Sequence, residues 1–193
     1  MQATTSSVVL VGESFSGPLA LMVAARRPAA LRGVVLCASF IRSPLPWFPS
    51  ALEMLVGRTT FALAPGFVRS SLLLGRHASP RLRSLLHRAH GLVDPGVMAA
   101  RARAILHVDV SSALRDCSAP LLYLRSGQDR MVSENSWRLV AELRPDARVE
   151  VLPGPHLLLQ THPAEAIAAI ERFLASSVSD GAETCSWTIG HLR

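Results

Sequence analysis

The stretch VVLVGESFSGPLALMVAARRP, residues 8–28, constrains the fold more than any other part of the sequence. A run of apolar residues typical of a buried strand leads directly into a turn that carries Ser14 between Gly12 and Gly17. A helical pattern rich in alanine and leucine follows and stops before Pro28. A strand that enters a helix through such a turn holds the serine hydroxyl above the carboxyl end of a sheet. The stretch therefore predicts an α/β sheet that presents a serine at one edge.

Three further short apolar runs predict strands of the same sheet, at residues 33–38, 121–124 and 149–152. Segments with helical spacing follow the later strands, at residues 133–143 and 163–175. Because strands alternate with helices, we expect a mostly parallel sheet of few strands with helices on both faces.

Residues 42–114 interrupt this alternation, since no convincing strand pattern occurs there. Short amphipathic patterns predict helices at residues 51–56, at 81–90 and around 97–105. An insertion of this size between two strands of a sheet is typical of a functional lid. We therefore expect residues 42–114 to form a helical lid.

The remaining segments divide into a core and a tail. Residues 1–41 and 115–176 carry the alternating strands and helices, and we expect them to form the core. Residues 177–193 are polar and aperiodic, which predicts a flexible tail.

Charge and cysteine content exclude several classes of protein. The formal charge is +6 and every basic residue is an arginine, but the arginines are scattered and few aromatic residues accompany them. This pattern favours a solvated basic surface over a nucleic-acid site. Cys37, Cys117 and Cys185 are odd in number and lack metal-ligand spacing, which disfavours a disulfide framework or a zinc site. With no secretion signal and no apolar span of eighteen residues, we expect a cytoplasmic protein.

A serine hydroxyl needs a histidine base, and the histidine needs an acid that orients it. Asp129 follows the predicted strand at residues 121–124 through a glycine turn, and His156 occupies the matching position after the next strand. The backbone N–H of Phe15, at the start of the helix, points to where an oxyanion would form. Three loops at one sheet edge therefore supply the groups of a serine nucleophile site.

The segments VLVGESFSGPLALMVAARRP, LRSGQDRMV and LPGPHLLLQTHP resemble motifs of the α/β-hydrolase superfamily, in that family's chain order. The resemblance runs from Val8 to about residue 174. It implies an α/β-hydrolase-like fold in which Ser14 is the nucleophile, Asp129 the acid and His156 the base. It also implies that residues 42–114 are a helical cap over an acyl pocket, and that no metal or organic cofactor is required.

The sequence departs from the family pattern in three places. Ser16 stands where the motif usually has its second glycine, and Pro155 replaces the small residue often found before the histidine. Family members have strands before the serine turn, and one loop among them supplies a second oxyanion donor. We therefore expect a shortened or unusually small hydrolase, with slow activity unless the Ser16 hydroxyl or a cap group replaces that donor. The apolar strand at residues 8–11 would then be an exposed edge, which predicts a homodimer or a larger assembly through it unless another segment covers that edge.

Several residues keep more than one interpretation. Trp47 and Phe48 are predicted to bind substrate, together with Phe61 and Phe67, although packing in the core would also explain these aromatic residues. Glu13 is expected to be exposed to solvent, although a negative charge beside the nucleophile could modulate the pocket. Ser16 is the alternative nucleophile and His162 the alternative base. The alternative acids are Asp94, Asp109 and Asp116. The other histidines lack metal spacing; they are His77, His87, His90 and His107.

The function expected from these residues is a serine carboxylesterase that cleaves short-to-medium acyl esters, with a small ester as its partner and no nucleic acid or membrane span. Lipases, acyltransferases, aminopeptidases and carbon–carbon bond hydrolases use the same three groups and remain alternatives. A non-catalytic binding module with a hydrolase-like fold is a second class, and a basic nucleic-acid binder is a third.

Overall fold

The structure of the protein, a computed structural model, describes residues 7–63 and 65–178. Four strands form one sheet in the order of the chain, and each neighbouring pair is parallel. They are β1 Val8–Glu13, β2 Leu31–Cys37, β3 Leu121–Ser126 and β4 Arg148–Leu152. The predicted parallel sheet is therefore confirmed. Of the predicted tail, residues 179–193 lie outside the described residues, and residues 177 and 178 belong to the last helix.

Helices connect and cover these strands. The described residues contain α1 Ser16–Ala24, α2 Arg58–Leu63, α3 Gly66–Leu74, α4 Pro80–Gly91, α5 Pro95–His107, α6 Ser111–Asp116, α7 Glu134–Leu143, α8 Leu158–Thr161 and α9 Pro163–Val178. Two 3₁₀ helices, Ser50–Leu55 and Gly75–His77, lie in the segment between β2 and β3.

The sheet is covered on both faces because the side chains of its central strands alternate in direction. In β2, Val34 and Leu36 pack in one cluster with residues of α1, α6 and α7. Val35 and Cys37 point the other way and pack against α8 and α9. Since all four strands are parallel, their carboxyl ends lie at one edge, and the loops that follow them lie side by side there.

Two helices of the insertion begin at a proline that follows a capping residue, a serine in one and an aspartate in the other. Ser79 Oγ accepts a hydrogen bond from the N–H of Leu82 at the start of α4, and Asp94 accepts one from Gly96 at the start of α5. The first N–H groups of a helix have no hydrogen-bond partner within the helix. A proline, which lacks an N–H, therefore fits at the first helical position. The predicted helices at residues 81–90 and 97–105 are thus confirmed.

The rest of the insertion differs from the prediction. The segment predicted as a helix at residues 51–56 forms the 3₁₀ helix Ser50–Leu55. Helices α2 and α3 lie outside the predicted helices, and α2, with six residues, is too short to show a full apolar stripe. The residue before α3, Pro65, has an extended backbone conformation, which separates α3 from α2.

β1 is an outer strand of the sheet within the described residues. Its side chains of Val8 and Val11 are 44% and 46% exposed, as expected for a strand that is covered on one side only. The homodimer through this edge stays a prediction. Across residues 7–63 and 65–178, no helix combines the length and the apolar character needed to cross a membrane.

Candidate active site

Ser14 lies at the tip of the turn between β1 and α1, with a φ of 53°. Such a backbone conformation is strained for a residue with a side chain and persists only where the surroundings hold it. Hydrogen bonds fix it on both sides: the N–H of Ser14 donates to the carbonyl of Cys37 at 2.9 Å, and its carbonyl accepts from Ser39 Oγ at 2.8 Å. The turn therefore holds the backbone of Ser14 at the edge where β1 ends.

The two glycines of the turn lie where strand and helix pass closest to each other. A Cβ atom on Gly12 would lie 2.6 Å from Gly17 Cα and 2.8 Å from the carbonyl oxygen of Ser16. A Cβ atom on Gly17 would lie 1.8 Å from Ser39 Oγ, which holds the carbonyl of Ser14. Gly12 is thus required by the close approach of backbone to backbone, and Gly17 by the side chain of Ser39.

We expect Gly12→Ala to destabilise the fold by about 3 kcal/mol or more, because the added methyl group meets backbone atoms that cannot rotate away. Urea unfolding followed by circular dichroism measures the effect. Gly57→Ala is the matched control, since a Cβ atom there would have no neighbour within 4 Å. Equal unfolding midpoints for the two variants would contradict this account of the turn.

A continuous chain of hydrogen bonds joins the three side chains predicted from the sequence. Ser14 Oγ lies 2.8 Å from His156 Nε2. His156 Nδ1 lies 3.0 Å and 2.9 Å from the two carboxylate oxygens of Asp129. Because an ionised carboxylate only accepts hydrogen bonds, Nδ1 carries the proton and Nε2 is left as an acceptor for the serine hydroxyl. The arrangement can therefore remove a proton from Ser14.

The histidine and the carboxylate of this chain are withdrawn from water and held by backbone groups. His156 is 3% exposed. Asp129 Oδ1 also accepts from the N–H groups of Met131 and Val132, at 2.7 and 3.0 Å. The carboxylate is thereby held in place beside the imidazole, as a preorganised acceptor requires.

The loop after β3 and the loop after β4 are bonded directly to each other. Gly127 N–H donates to the carbonyl of Leu152 at 2.8 Å, and both Gln128 N–H and Ser126 Oγ donate to the carbonyl of Gly154, at 2.9 and 2.6 Å. These bonds connect the loop that bears Asp129 with the loop that bears His156. The distance between the two side chains therefore depends on backbone contacts as well as on their own hydrogen bond.

A cavity of about 500 Å³ opens beside Ser14 and His156. Its wall is mostly apolar, and most of it comes from residues 42–114. The apolar lining residues are Phe15, Phe40, Pro44, Leu45, Phe48, Val56, Phe61, Leu72, Leu73, Met98, Ala102, Ile105, Leu106, Met131 and Val132, and the others are Thr60, Arg69, His90 and Arg101. Such a wall fits an apolar chain attached to a reactive group at the serine.

Two polar groups of this wall have distinctive surroundings. His90 Nε2 is buried and has no hydrogen-bond partner among the described residues. The guanidinium carbon of Arg101 lies 5.9 Å from the ring centroid of Phe15, within the range of a cation–π contact. The wall thus offers these polar groups to a bound substrate.

The residues predicted to bind substrate fall into two groups. Phe15, Phe48 and Phe61 line the cavity. Trp47 does not, because its ring is turned outward and the residue is 73% exposed, and Phe67 is similarly exposed. An aromatic residue in a helical insertion can face either side, and the sequence pattern was too short to indicate which.

Ser16 does not supply a replacement oxyanion donor. Its hydroxyl donates to the carbonyl of Glu13 at 2.8 Å, so it closes the turn and does not face the cavity. The same bond argues against Ser16 as the nucleophile.

Two of the three alternative acids and the alternative base have other partners. Asp94 caps α5 and pairs with Arg58, and Asp109 pairs with Arg42. His162 Nδ1 lies 3.0 Å from Thr161 Oγ1, and its ring packs edge-on against His77. Within the described part of the chain, no group of three or more metal-ligating side chains is assembled.

Two residues at the site were missed or misjudged. Glu13 was expected to be exposed, but it is half-buried and its carboxylate accepts hydrogen bonds from Leu159 N–H and Gln160 Nε2. Ser39, which braces the carbonyl of Ser14, was not predicted. Its position just after β2, at the same sheet edge as the other loops, is the signal that could have indicated it.

Burial and negative charge keep a nearby thiol out of the chemistry. Burial raises the pKa of Cys37 well above its ordinary value, and the charges of Glu13 and Asp129 raise it further. Burial likewise raises the pKa of Tyr123, whose hydroxyl donates to the carbonyl of Ser39. Since the thiolate is the reactive form of cysteine, Cys37 does not compete with Ser14 as a nucleophile.

Comparison with known families gives one match along most of the chain. Residues 2–170 match the model of the alpha/beta hydrolase family. The pimeloyl-[acyl-carrier protein] methyl ester esterase of Stenotrophomonas maltophilia strain K279a is 31% identical over 199 aligned residues, which cover 94% of this chain and 74% of that protein. The esterase of the same name from Xylella fastidiosa strain M23 is 28% identical, over 90% of this chain and 73% of the relative.

Solved structures share the fold. A hydrolase from Oleispira antarctica superposes with a TM-score of 0.74 at 19% identity, over 88% of this chain and 66% of that chain. A thermophilic esterase from Thermogutta terrifontis superposes with a TM-score of 0.71 at 21% identity, over 89% and 66%. The chain thus spans about two thirds of these structures and about three quarters of the curated relatives.

Proposed function

Because this chain belongs to the alpha/beta hydrolase family, we propose that it is a serine carboxylesterase that forms an acyl-enzyme on Ser14. The observation that carries the proposal is the hydrogen-bonded chain from Ser14 through His156 to Asp129 at the wall of an apolar cavity. The esterases among its relatives support the same reaction class.

The reaction follows from the direction of these hydrogen bonds. His156 Nε2 takes the proton of Ser14 as Oγ attacks the carbonyl carbon of the ester, and the N–H of Phe15 stabilises the oxyanion. The imidazolium returns its proton to the departing alcohol, which leaves an acyl ester on Ser14. His156 then removes a proton from water, hydroxide attacks the acyl carbon, and the carboxylic acid departs as Ser14 is reprotonated. Asp129 stabilises the imidazolium in both halves.

Residues 42–114 are, in this proposal, the cap of the enzyme. Helix α5 and the segments before it form most of the cavity wall opposite Ser14. A cap of this kind would exclude water from the ester while the acyl chain is bound, which strengthens the electrostatic interactions at the serine. Its apolar surface supports short-to-medium acyl chains as the substrate class.

The cavity predicts how activity depends on acyl length. We expect kcat/KM for p-nitrophenyl esters to rise about fourfold for each added methylene, since burying one contributes about 0.8 kcal/mol, until the cavity is full. Ala102→Leu should then move the optimum to shorter esters, because Ala102 lines the cavity. Ala104→Leu, on an exposed position of the same helix, is the control. An unchanged optimum in Ala102→Leu would place the acyl chain elsewhere.

A second candidate is an ester carried by an acidic protein. The basic charge is concentrated in residues 42–114, which hold nine arginines and three acidic residues, whereas the rest of the chain has eleven of each. The three acidic residues of the segment already have partners in Arg42, Arg58 and His107. This asymmetry, together with relatives named for an acyl-carrier protein ester, supports an acidic carrier at the cap.

Salt and charge variants separate the two candidates. With pimeloyl-carrier methyl ester as substrate, Arg81→Gln/Arg88→Gln should lower kcat/KM by about tenfold at low salt, and leave p-nitrophenyl esters unaffected. Arg26→Gln/Arg115→Gln removes the same charge from exposed positions outside residues 42–114. Equal losses in the two double variants would exclude docking at the cap, and a loss in neither would leave the free small ester as the substrate.

A further inference from the structure

Glu13 ends β1 immediately before Ser14, and its side chain reaches across the site to the segment that follows His156. Its Oε1 atom accepts a hydrogen bond from the N–H of Leu159 at 3.0 Å, and its Oε2 atom accepts one from Gln160 Nε2 at 2.9 Å. The two partners lie in α8, only three and four residues beyond His156. The carboxylate thus bonds the serine turn to the histidine segment at a second point, apart from the reacting side chains.

Leu158 packs in the core below the sheet, but few other hydrogen bonds hold the histidine segment on this side. The N–H of Leu157 donates to the carbonyl of Leu73 at 3.0 Å, and the N–H of Leu158 donates to the carbonyl of His156 itself. The first bond connects the segment to α3 in the insertion, and the second is internal. Within residues 7–63 and 65–178, the hydrogen bonds that connect α8 to the strand end before Ser14 are those of Glu13.

The carboxylate of Glu13 also lies beside Cys37, the residue whose carbonyl holds the N–H of Ser14. Its Oε1 atom is 4.0 Å from Cys37 Sγ, and the carbonyl of Cys37 accepts the N–H of Ser14 at 2.9 Å. The half-buried carboxylate is thus fixed behind the serine turn, and hydrogen bonds to an ionised, partly buried acceptor are about twice as strong as neutral ones.

We propose that Glu13 is a positioning residue, which holds α8 against the serine turn so that His156 Nε2 stays within hydrogen-bond distance of Ser14 Oγ. This role rests on the proposed function, because it concerns the geometry of proton transfer from Ser14. Glu13 does not line the cavity, so it acts on the distance between the two reacting side chains and leaves the binding of the acyl chain unchanged. A displacement of about 1 Å between reacting groups can lower a rate by about 100-fold.

The test compares Glu13→Ala, Glu13→Gln and Gln160→Ala in the full chain. With p-nitrophenyl butanoate we expect Glu13→Ala to lower kcat by about 10- to 100-fold with little change in KM, and Gln160→Ala by about 3- to 10-fold. Glu13→Gln should restore most of the activity, because its amide oxygen can still accept from Leu159 N–H. Glu165→Ala, at an exposed position in the first turn of α9, is the matched control.

The outcomes distinguish the role of Glu13 from the reaction itself. The rate of fluorophosphonate labelling of Ser14 should fall in parallel with kcat in Glu13→Ala, at a temperature where circular dichroism shows the variant to be folded. If the wild type is labelled and active, but Glu13→Ala has an unchanged kcat or only a raised KM, the positioning role alone is overturned. An unlabelled, inactive wild type would overturn the proposed function and this role with it. If Glu13→Ala does not fold, Gln160→Ala decides, since its side chain is exposed and a kcat equal to that of wild type would overturn the proposal.

Discussion

Replacement of Ser14 by alanine is expected to lower kcat for p-nitrophenyl butanoate by a factor on the order of 10⁵ to 10⁶. The loss is large because the alanine methyl group cannot form the acyl-enzyme, while His156 and Asp129 act only through the missing oxygen. Residual turnover would come from the cavity and the backbone N–H of Phe15. Steady-state kinetics with a protein of verified purity measures it, since traces of another esterase would hide a loss of this size.

Ser16→Ala is the control for this variant, because Ser16 is the neighbouring serine and the rival nucleophile. Its hydroxyl donates to the carbonyl of Glu13, so we expect a loss of less than about tenfold through a looser turn. Fluorophosphonate labelling should persist in Ser16→Ala and disappear in Ser14→Ala. The reverse result would assign the nucleophile to Ser16.

Asp129→Asn is expected to lower kcat by about 10⁴-fold while the geometry of the site is kept. The carboxylate accepts from His156 Nδ1 and thereby leaves Nε2 as an acceptor. An asparagine can turn its NH₂ group toward Nδ1, which would place the imidazole proton on Nε2, where it cannot accept the proton of Ser14. Kinetics on a short ester and the rate of fluorophosphonate labelling should fall together.

The rival acids provide the controls for Asp129→Asn. Asp94 caps α5, and Asp109 is an exposed residue whose pKa is lowered by hydrogen bonds from Ser111 and by the charge of Arg42. Asp94→Asn and Asp109→Asn should change kcat by less than about threefold, since neither carboxylate contacts His156. A loss in either variant comparable to that of Asp129→Asn would move the acid to that position.

The pocket was the least predictable part of the site. Phe48 and Trp47 are neighbours in the sequence, yet only Phe48 lines the cavity. Trp47 and Phe48 lie in a turn before the first 3₁₀ helix of the insertion, where the chain has no periodicity that could indicate a buried face. The identity of the lining residues was thus decided by packing between segments that are far apart in the chain.

The contacts of Glu13 illustrate the same limit at the centre of the site. Its position beside Ser14 can be read from the sequence, but its partners Leu159 and Gln160 lie 146 and 147 residues further along. No local pattern indicates that a carboxylate at the end of β1 will meet the first turn after His156. That contact exists because β3 and β4 bring the histidine loop to the edge where β1 ends.

The sequence by itself determined the serine turn, the parallel sheet and the three side chains of the hydrogen-bonded chain, Ser14, His156 and Asp129. It could do so because the turn depends on local backbone sterics at Gly12 and Gly17, and because parallel strands must end at one edge. Only the tertiary structure decided which insertion side chains form the cavity wall and which groups hold Glu13. These contacts join segments that are far apart in the chain. Their relative placement arises from packing, which cannot be predicted from any single stretch of sequence.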